Sequence, residues 1–496
     1  MPRGGAPSGR AVGRWAASLL VGAVAAAGCS SSPSSPSSTP SSASSGGSGA
    51  GPGGAGPPSS EAPPATRVDR PRGGSARVGV WGEPDPAAPT LGGSAVRALV
   101  LPQLFVAGPD GRWSPSLVAD GSDRDSPGHT TATFRVRDGA VWSDGSPVTA
   151  DDLRRSADPR FVAGVDGPGA DGTVTVRFTS PLPGWRRLWS GTDSVAAPGP
   201  GVWGGPFVVE AYVPGLEAVL RANDRWHRGR PFLDEVRLVL VPEATIARKL
   251  LEKGDLDVVM PPASSVRTRQ LESIPGVSVA RSERSGWWTG LLLRAGGLAR
   301  AQRAAVAASV DRGAFVGTLL RDEAAVLDGF ADGAGAGRGG AWAGVGPGTP
   351  SALRGVTVDV VGQLEEPMLE VLQRAMQKRA HPAGGRLELR NAEADRVERW
   401  VAEGAYQAAV VMQLDGPDPC WTCRWASVDE GLARAADAGD EAAVSALEAR
   451  LRDDALLLPL WRPVTVVAWR DGLGGVRPNG YAPSAAWNAE EWWRVR

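Results

Sequence analysis

Phe134-Arg135-Val136-Arg137-Asp138-Gly139-Ala140-Val141-Trp142-Ser143-Asp144-Gly145-Ser146-Pro147-Val148-Thr149-Ala150-Asp151-Asp152 joins the end of a strand to the beginning of a helix. Thr131 to Val136 is β-rich and reads as the strand. Thr149 followed three residues later by Asp152 reads as a capping-box-like start, in which each side chain satisfies an orphan N–H of the other residue.

The same alternation of short strands and helices extends outward from this stretch. Strands are expected at Arg77 to Trp81, Thr173 to Phe178, Phe207 to Tyr212, Ala218 to Arg221, Val236 to Val241 and Asp255 to Met260. Ala244 to Lys253 is an amphipathic helix stopped by Gly254. Helices at Arg303 to Leu320, Pro367 to Arg379 and Ala394 to Glu403 alternate with strands at Val356 to Val361, Arg386 to Arg390 and Ala408 to Leu414. A Gly-rich stretch, 329 to 348, interrupts this second half. The expected fold class is α/β, with no repeat of fixed period.

At 496 residues the chain exceeds what one core organises, so two or three domains are expected. Charged residues at 22% and hydrophobic ones at 42% exclude wholesale disorder and a multi-span membrane protein. Lys plus Arg number 53 against 54 Asp plus Glu, so no basic excess exists to grip a phosphate backbone, and no nucleic acid partner is expected.

Arg3, Arg10 and Arg14 precede an uncharged run, Ala16 to Ala27, that ends in Gly28-Cys29. This is the layout of a secretory signal, and the run is too short to span the roughly 30 Å of a bilayer core. Residues 30 to 66 contain only Ser, Pro, Gly, Ala and Thr apart from Glu61, a composition that cannot offset its own ordering entropy. As a flexible tether it would reach roughly 30 to 35 Å. The expected layout is a signal peptide at 1–28 and a linker at 29–74.

Cys420 and Cys423 lie outside the signal region, in Pro419-Cys420-Trp421-Thr422-Cys423. A C-x-x-C pair serves as a redox site, as half of a zinc site or as a structural disulfide clip. We read it as the clip. His129, His227 and His381 form no ligand-spaced set, and Gly416, Pro417 and Pro419 mark a turn where a redox pair would open a helix after a strand. No metal and no cofactor is expected.

Nucleophile, zinc, phosphate and dinucleotide motifs in their structural contexts are absent from the chain. No catalytic residue is therefore assigned. Asp151-Asp152, Glu365-Glu366 and Asp453-Asp454 are adjacent carboxylates and read as solvated helix ends. Tryptophan is abundant, 19 against three tyrosines and eight phenylalanines. Most serve packing, but Trp287 and Trp288 are adjacent in a strand and point to opposite faces, so one is free to line a cavity.

Three segments together resemble the extracytoplasmic solute-binding proteins of ABC importers, in the oligopeptide, dipeptide and nickel-binding family known as family 5. The first is the stretch quoted at the outset. The second runs from Gly205-Pro206-Phe207 through Pro214-Gly215, Asn223, Trp226, Gly229 and Pro231-Phe232-Leu233-Asp234-Glu235 to Pro242 and Gly254-Asp255-Leu256-Asp257. The third is Arg303-Ala304-Ala305-Val306-Ala307-Ala308-Ser309-Val310-Asp311-Arg312. Weaker similarity continues through Leu458-Pro459-Leu460-Trp461, and Cys29 with its preceding small residues resembles a lipobox cysteine, the site of lipidation.

The resemblance implies a two-lobed periplasmic-binding-protein-like clamshell that closes over a solute and hands it to a permease without catalysis. Lobe I would take 75–283, with a small reduced insertion near 100–170, lobe II 284–463, and 464–496 would return to lobe I. In peptide-binding members an aspartate in a turn accepts the peptide ammonium, which points here to Asp415, with Met412, Gln413 and Gly416 around it and Asp418 as the second candidate. A carboxylate suits that task because a buried ammonium requires a charged partner. The plainer role for Asp415 is a turn aspartate capping its own backbone. Glu83 sits where the first strand would meet the cleft. The expected partners are a short peptide or similar polar solute, permease subunits, and the membrane through the lipid on Cys29, with the protein itself a monomer outside the cytoplasm. A surface receptor or structural lipoprotein that has lost transport is the alternative; a secreted hydrolase lacks its motifs, and the few histidines disfavour direct metal coordination.

Overall fold

The computed structural model describes residues 70–495 apart from 89, 170, 192–193, 262–267, 283, 328–349, 364–366 and 393. The signal segment, Cys29 and nearly all of the linker, together with most of the Gly-rich stretch, lie outside the described residues.

Two mixed sheets carry the fold. The first orders its strands Val277–Arg281, Val466–Arg470, Val258–Val259, Ser75–Val80, Glu235–Leu240, Glu217–Ala222 and Phe207–Val213. Ser75–Val80 runs parallel to both neighbours and the remaining pairs are antiparallel. The second sheet orders Ala324–Val326, Leu457–Pro463, Trp287–Leu293, Ala408–Leu414, Thr357–Gln363 and Arg386–Ala392. The central strands Trp287–Leu293 and Ala408–Leu414 of the second sheet are buried almost throughout, which explains their nearly continuous apolar sequence. Leu91–Val100 and Ala485–Glu491 pack on one side of the first sheet, and Ala244–Lys253 packs on the other. In the second, Arg300–Ala308 and Pro367–Ala380 cover one face while Trp421–Asp437 and Glu441–Asp453 cover the other. The chain is two-lobed, one lobe per sheet.

A four-stranded antiparallel sheet, Arg124–Asp125, Thr131–Arg135, Thr173–Phe178 and Val162–Asp166, is inserted in the first lobe. The strand Thr173–Phe178 and the core residues Leu182, Trp185 and Val195 extend the insertion past residue 170. The capping box forms as expected: the Asp152 carboxylate accepts from the Thr149 N–H at 2.8 Å and from its hydroxyl at 3.2 Å. The same oxygen also takes the Trp142 indole N–H at 3.2 Å, so the turn between strand and helix is fixed from both ends. Gly254 ends its helix in the left-handed region, φ 81°, where a side chain would be strained.

Two elements differ from expectation. The helix expected over Arg303 to Leu320 breaks into Arg300–Ala308 and Arg312–Phe315, followed by one wide turn, Val316–Leu320. Ser309 bonds back to the Val306 carbonyl at 2.6 Å and Asp311 recaps the chain at Ala314 N–H, a competition between side chain and backbone that stops a helix. The strand expected over Asp255 to Met260 shrinks to Val258–Val259, because the N–H groups of Asp255 and Leu256 are taken by the Leu250 carbonyl at 2.8 and 3.1 Å. No helix among the described residues is long and apolar enough to cross a membrane.

Trp185 centres the insertion. It is 0% exposed, edge-on to Phe105 at 5.4 Å and stacked on Phe134 at 5.9 Å. Trp185→Leu is expected to cost about 3 kcal/mol or more in chemical denaturation followed by near-UV circular dichroism, with most of the loss confined to the insertion.

Candidate functional site

The two lobes meet along a seam built by the turn Asp415 to Cys420. Trp287–Leu293 and Ala408–Leu414 run antiparallel, with Trp287 opposite Leu414 and Trp288 opposite Gln413, and the chain leaves the sheet at Asp415. The Asp415 N–H bonds to the Gly286 carbonyl at 2.9 Å. From there the turn reaches the first lobe: the Trp113 indole N–H donates to the Asp418 carboxylate at 2.8 Å, and Gly416 lies under the same ring. Arg187 of the first lobe donates to the Pro419 carbonyl at 3.3 Å and to Asp437 at 3.1 Å, an ion pair with both side chains nearly buried. Asp437 also accepts from the N–H groups of Trp421 and Thr422, so one carboxylate caps a helix start and anchors the opposite lobe.

Of the sequence candidates, Asp415, Gly416 and Asp418 come together on this seam. Asp415 is ion-paired with Arg424 of the following helix, and both side chains are largely buried. The guanidinium lies over the Trp288 ring, 5.3 Å from its centroid. Burial pulls the Arg424 guanidinium down to about 9. Trp288 packs among the helices on its side of the sheet, whereas Trp287, equally buried, sits on the other face. Met412 lies opposite Thr289, and Gln413 is buried. Glu83 is committed within the first lobe: its carboxylate accepts from the Tyr212 hydroxyl and from the Gly215 N–H at 3.0 Å, which clamps a hairpin loop.

Cys420 and Cys423 form a disulfide. Contrary to the expected turn, the cysteines open a helix after a strand: Cys420 caps the helix Trp421–Asp437, which follows the strand Ala408–Leu414. The prolines shape the link between the two elements but do not prevent the helix from opening at the cysteines. Arg424, Trp113, Arg187 and Asp437 were missed from sequence. Trp113 and Asp418 lie 305 positions apart and Arg187 and Asp437 250, so no periodic signal records them, and Arg424 reaches Asp415 only because the helix folds back over the strand. Among the described residues no group of three or more His, Cys, Asp or Glu is placed to hold a metal ion.

A separate cavity lies within the first lobe, lined by Gln103, Trp226, His227, Arg228, Tyr481 and Glu490 among others. Burial lowers the His227 imidazole to about 4 and raises the Glu490 carboxyl to about 7. The two act in opposite directions. A depressed histidine makes the unfolded chain bind more protons between about pH 4 and 6.5, so stability falls on acidification; a raised glutamate makes stability fall as pH rises toward 7.

Two outcomes follow. Trp113→Phe, which removes one N–H and leaves Asp418 without it, should loosen the seam by about 1 kcal/mol, read as an increase in radius of gyration by small-angle scattering without loss of lobe stability. Glu490→Gln should turn a nearly flat stability profile between pH 7 and 4.5 into one that declines on acidification, by up to about 3 kcal/mol, in urea titrations at each pH.

Residues 113–337 match the profile of bacterial extracellular solute-binding proteins, family 5 middle region. The oligopeptide-binding protein OppA of Mycobacterium tuberculosis is 28% identical over 261 residues, 44% of this chain and 43% of that protein, so the alignment spans less than half of the relative's length. The structure of oligopeptide-binding protein AppA from Bacillus subtilis, in complex with a nonapeptide, superposes with a TM-score of 0.71 at 15% identity, covering 86% of this chain and 100% of that one. The dipeptide-binding protein from Pseudoalteromonas sp. SM9913, in complex with Met-Leu, gives 0.72 at 12% identity over 85% and 100%. At these identities the structures establish the fold, and over residues 113–337 the chain is similar to family 5 of the bacterial extracellular solute-binding proteins.

Proposed function

We propose that this chain is an extracytoplasmic substrate-binding lipoprotein of an ABC importer, which captures short peptides or similar polar solutes between its lobes and delivers them to the permease. The lobes are 75–283 with 464–496, and 284–463. Cys29 carries the lipid, and the Ser/Pro/Gly linker holds the folded body away from the membrane.

The observation that carries this reading is the seam itself. It joins the lobes through the hydrogen bonds of Trp113 to Asp418 and of Arg187 to Pro419 and Asp437, with Cys420 and Cys423 packed against the insertion's core, so contacts between the lobes set the balance between apposed and separated arrangements. A solute that touches both lobes tips such an equilibrium by its differential contact alone. No step in this cycle makes or breaks a covalent bond. A second reading, a surface receptor or structural lipoprotein without transport, draws on the pairing of Asp415 with Arg424, which occupies the carboxylate otherwise suited to a peptide ammonium.

The mature protein, mixed with pools of di- and tripeptides and of other small polar solutes, should melt several degrees higher and scatter as a more compact particle with at least one pool. A flat response to every pool counts against solute capture. Unchanged peptide uptake in a deletion strain, with binding retained, would favour the receptor reading.

A further inference from the structure

We infer that the Cys420–Cys423 disulfide is a thiol-exchange site on the seam, reducible by an external dithiol in the folded protein, and that the oxidised pair holds the lobes together more firmly than the reduced one. This deepens the binding role proposed above and rests on it for its consequence, because lobe apposition is what the pair would tune.

Stability is a weak reason for this bond. It joins residues three positions apart, and closing so short a loop removes little entropy from the unfolded chain. The helix start does not depend on it either: the N–H groups of Trp421 and Thr422 are held by the Asp437 carboxylate at 3.0 and 2.9 Å, and Arg187 balances that carboxylate at 3.1 Å. The helix therefore survives reduction. Both cysteines are half-buried rather than sealed inside the lobe, so a small thiol reaches them.

The geometry also favours the exchange. One thiolate of the dithiol attacks the Cys423 sulfur, the bond between the two cysteines breaks, and Cys420 leaves as a thiolate. Its charge falls on the N-terminus of the helix Trp421–Asp437, where the Cys423 N–H already meets the Cys420 sulfur at 3.1 Å. The second thiol of the reagent then displaces Cys423 from the mixed disulfide, so the dithiol closes to its own disulfide while two electrons and two protons pass to the cysteine pair. On the seam the change is felt across the lobes. The oxidised pair is uncharged and packs against the insertion's core, the cluster that holds Trp185. Reduction forces the two sulfurs apart and sets a partly ionised thiol against apolar surface, a cost that separation of the lobes relieves by admitting water.

The test treats the mature protein with reduced dithiothreitol and then with N-ethylmaleimide, without denaturant, and maps the label by mass spectrometry. Labelling of Cys420 and Cys423 should rise about ten-fold or more over untreated protein, with the far-UV circular dichroism unchanged and the radius of gyration increased in small-angle scattering. Cys420→Ser with Cys423→Ser should scatter identically with and without the dithiol. Should that variant not fold, the wild type before reduction, after it and after reoxidation serves instead, since the change must reverse. Labelling only in denaturant would overturn the exchange site, and labelling without a change in scattering would overturn the link to the lobes. A flat response to every solute pool removes the capture reading and leaves both of these results as they stand.

Discussion

The close approach of three backbones at the junction between the lobes is the constraint from which the rest follows. Gly286 donates its N–H to the Gly480 carbonyl at 2.9 Å and offers its own carbonyl to the Asp415 N–H at 2.9 Å. A β-carbon on Gly286 would strike the Asp415 carbonyl and stand 3.0 Å from the Tyr481 ring, while one on Gly480 would strike the Arg284 backbone. Only glycine allows this packing, and neither position needs an unusual φ to explain the choice. Beside it the two crossings of the chain are tied by the Ser282 N–H to the Thr465 carbonyl at 2.9 Å, with Arg462 donating to the Ser285 carbonyl.

From that junction the placement of the seam is fixed. Strand Ala408–Leu414 ends opposite Trp287, the first residue of the neighbouring strand after Gly286, and Asp415 to Cys420 turn from there toward the first lobe. The disulfide and the Asp437 carboxylate then fasten the start of the next helix, and that helix brings Arg424 back over Trp288 to Asp415. A turn with this many internal ties is held in one arrangement before any partner reaches it. The cavity around His227 and Glu490 lies within the first lobe, and its two groups shift in opposed senses, the imidazole down and the carboxyl up.

Local rules were sufficient for much of the architecture. The helix Ala244–Lys253 with its Gly254 stop, the capping box at Thr149 and Asp152, and the strands Thr173–Phe178 and Ala408–Leu414 depend on interactions between residues a few positions apart, which periodicity and cap chemistry record directly. Where the local reading failed, at Ser309 and at Asp255, a side chain or a helix end captured backbone groups that the pattern had assigned to a continuing element. The cysteine pair failed in a different way: a proline-rich turn and a helix start are compatible when the turn is long enough to end before the helix begins.

The amino-acid sequence alone determined the class of fold, the extended tether with its lipidation cysteine as an expectation, and the aspartate turn as the place to look. What only the tertiary structure decided was the state of that turn. That Asp415 is answered by Arg424, Asp418 by Trp113 and Asp437 by Arg187 depends on which helix folds back over which strand and on how the insertion meets the opposite lobe. Charge pairing across such distances follows from geometry in three dimensions, where a Coulomb interaction depends on separation and burial rather than on position along the chain.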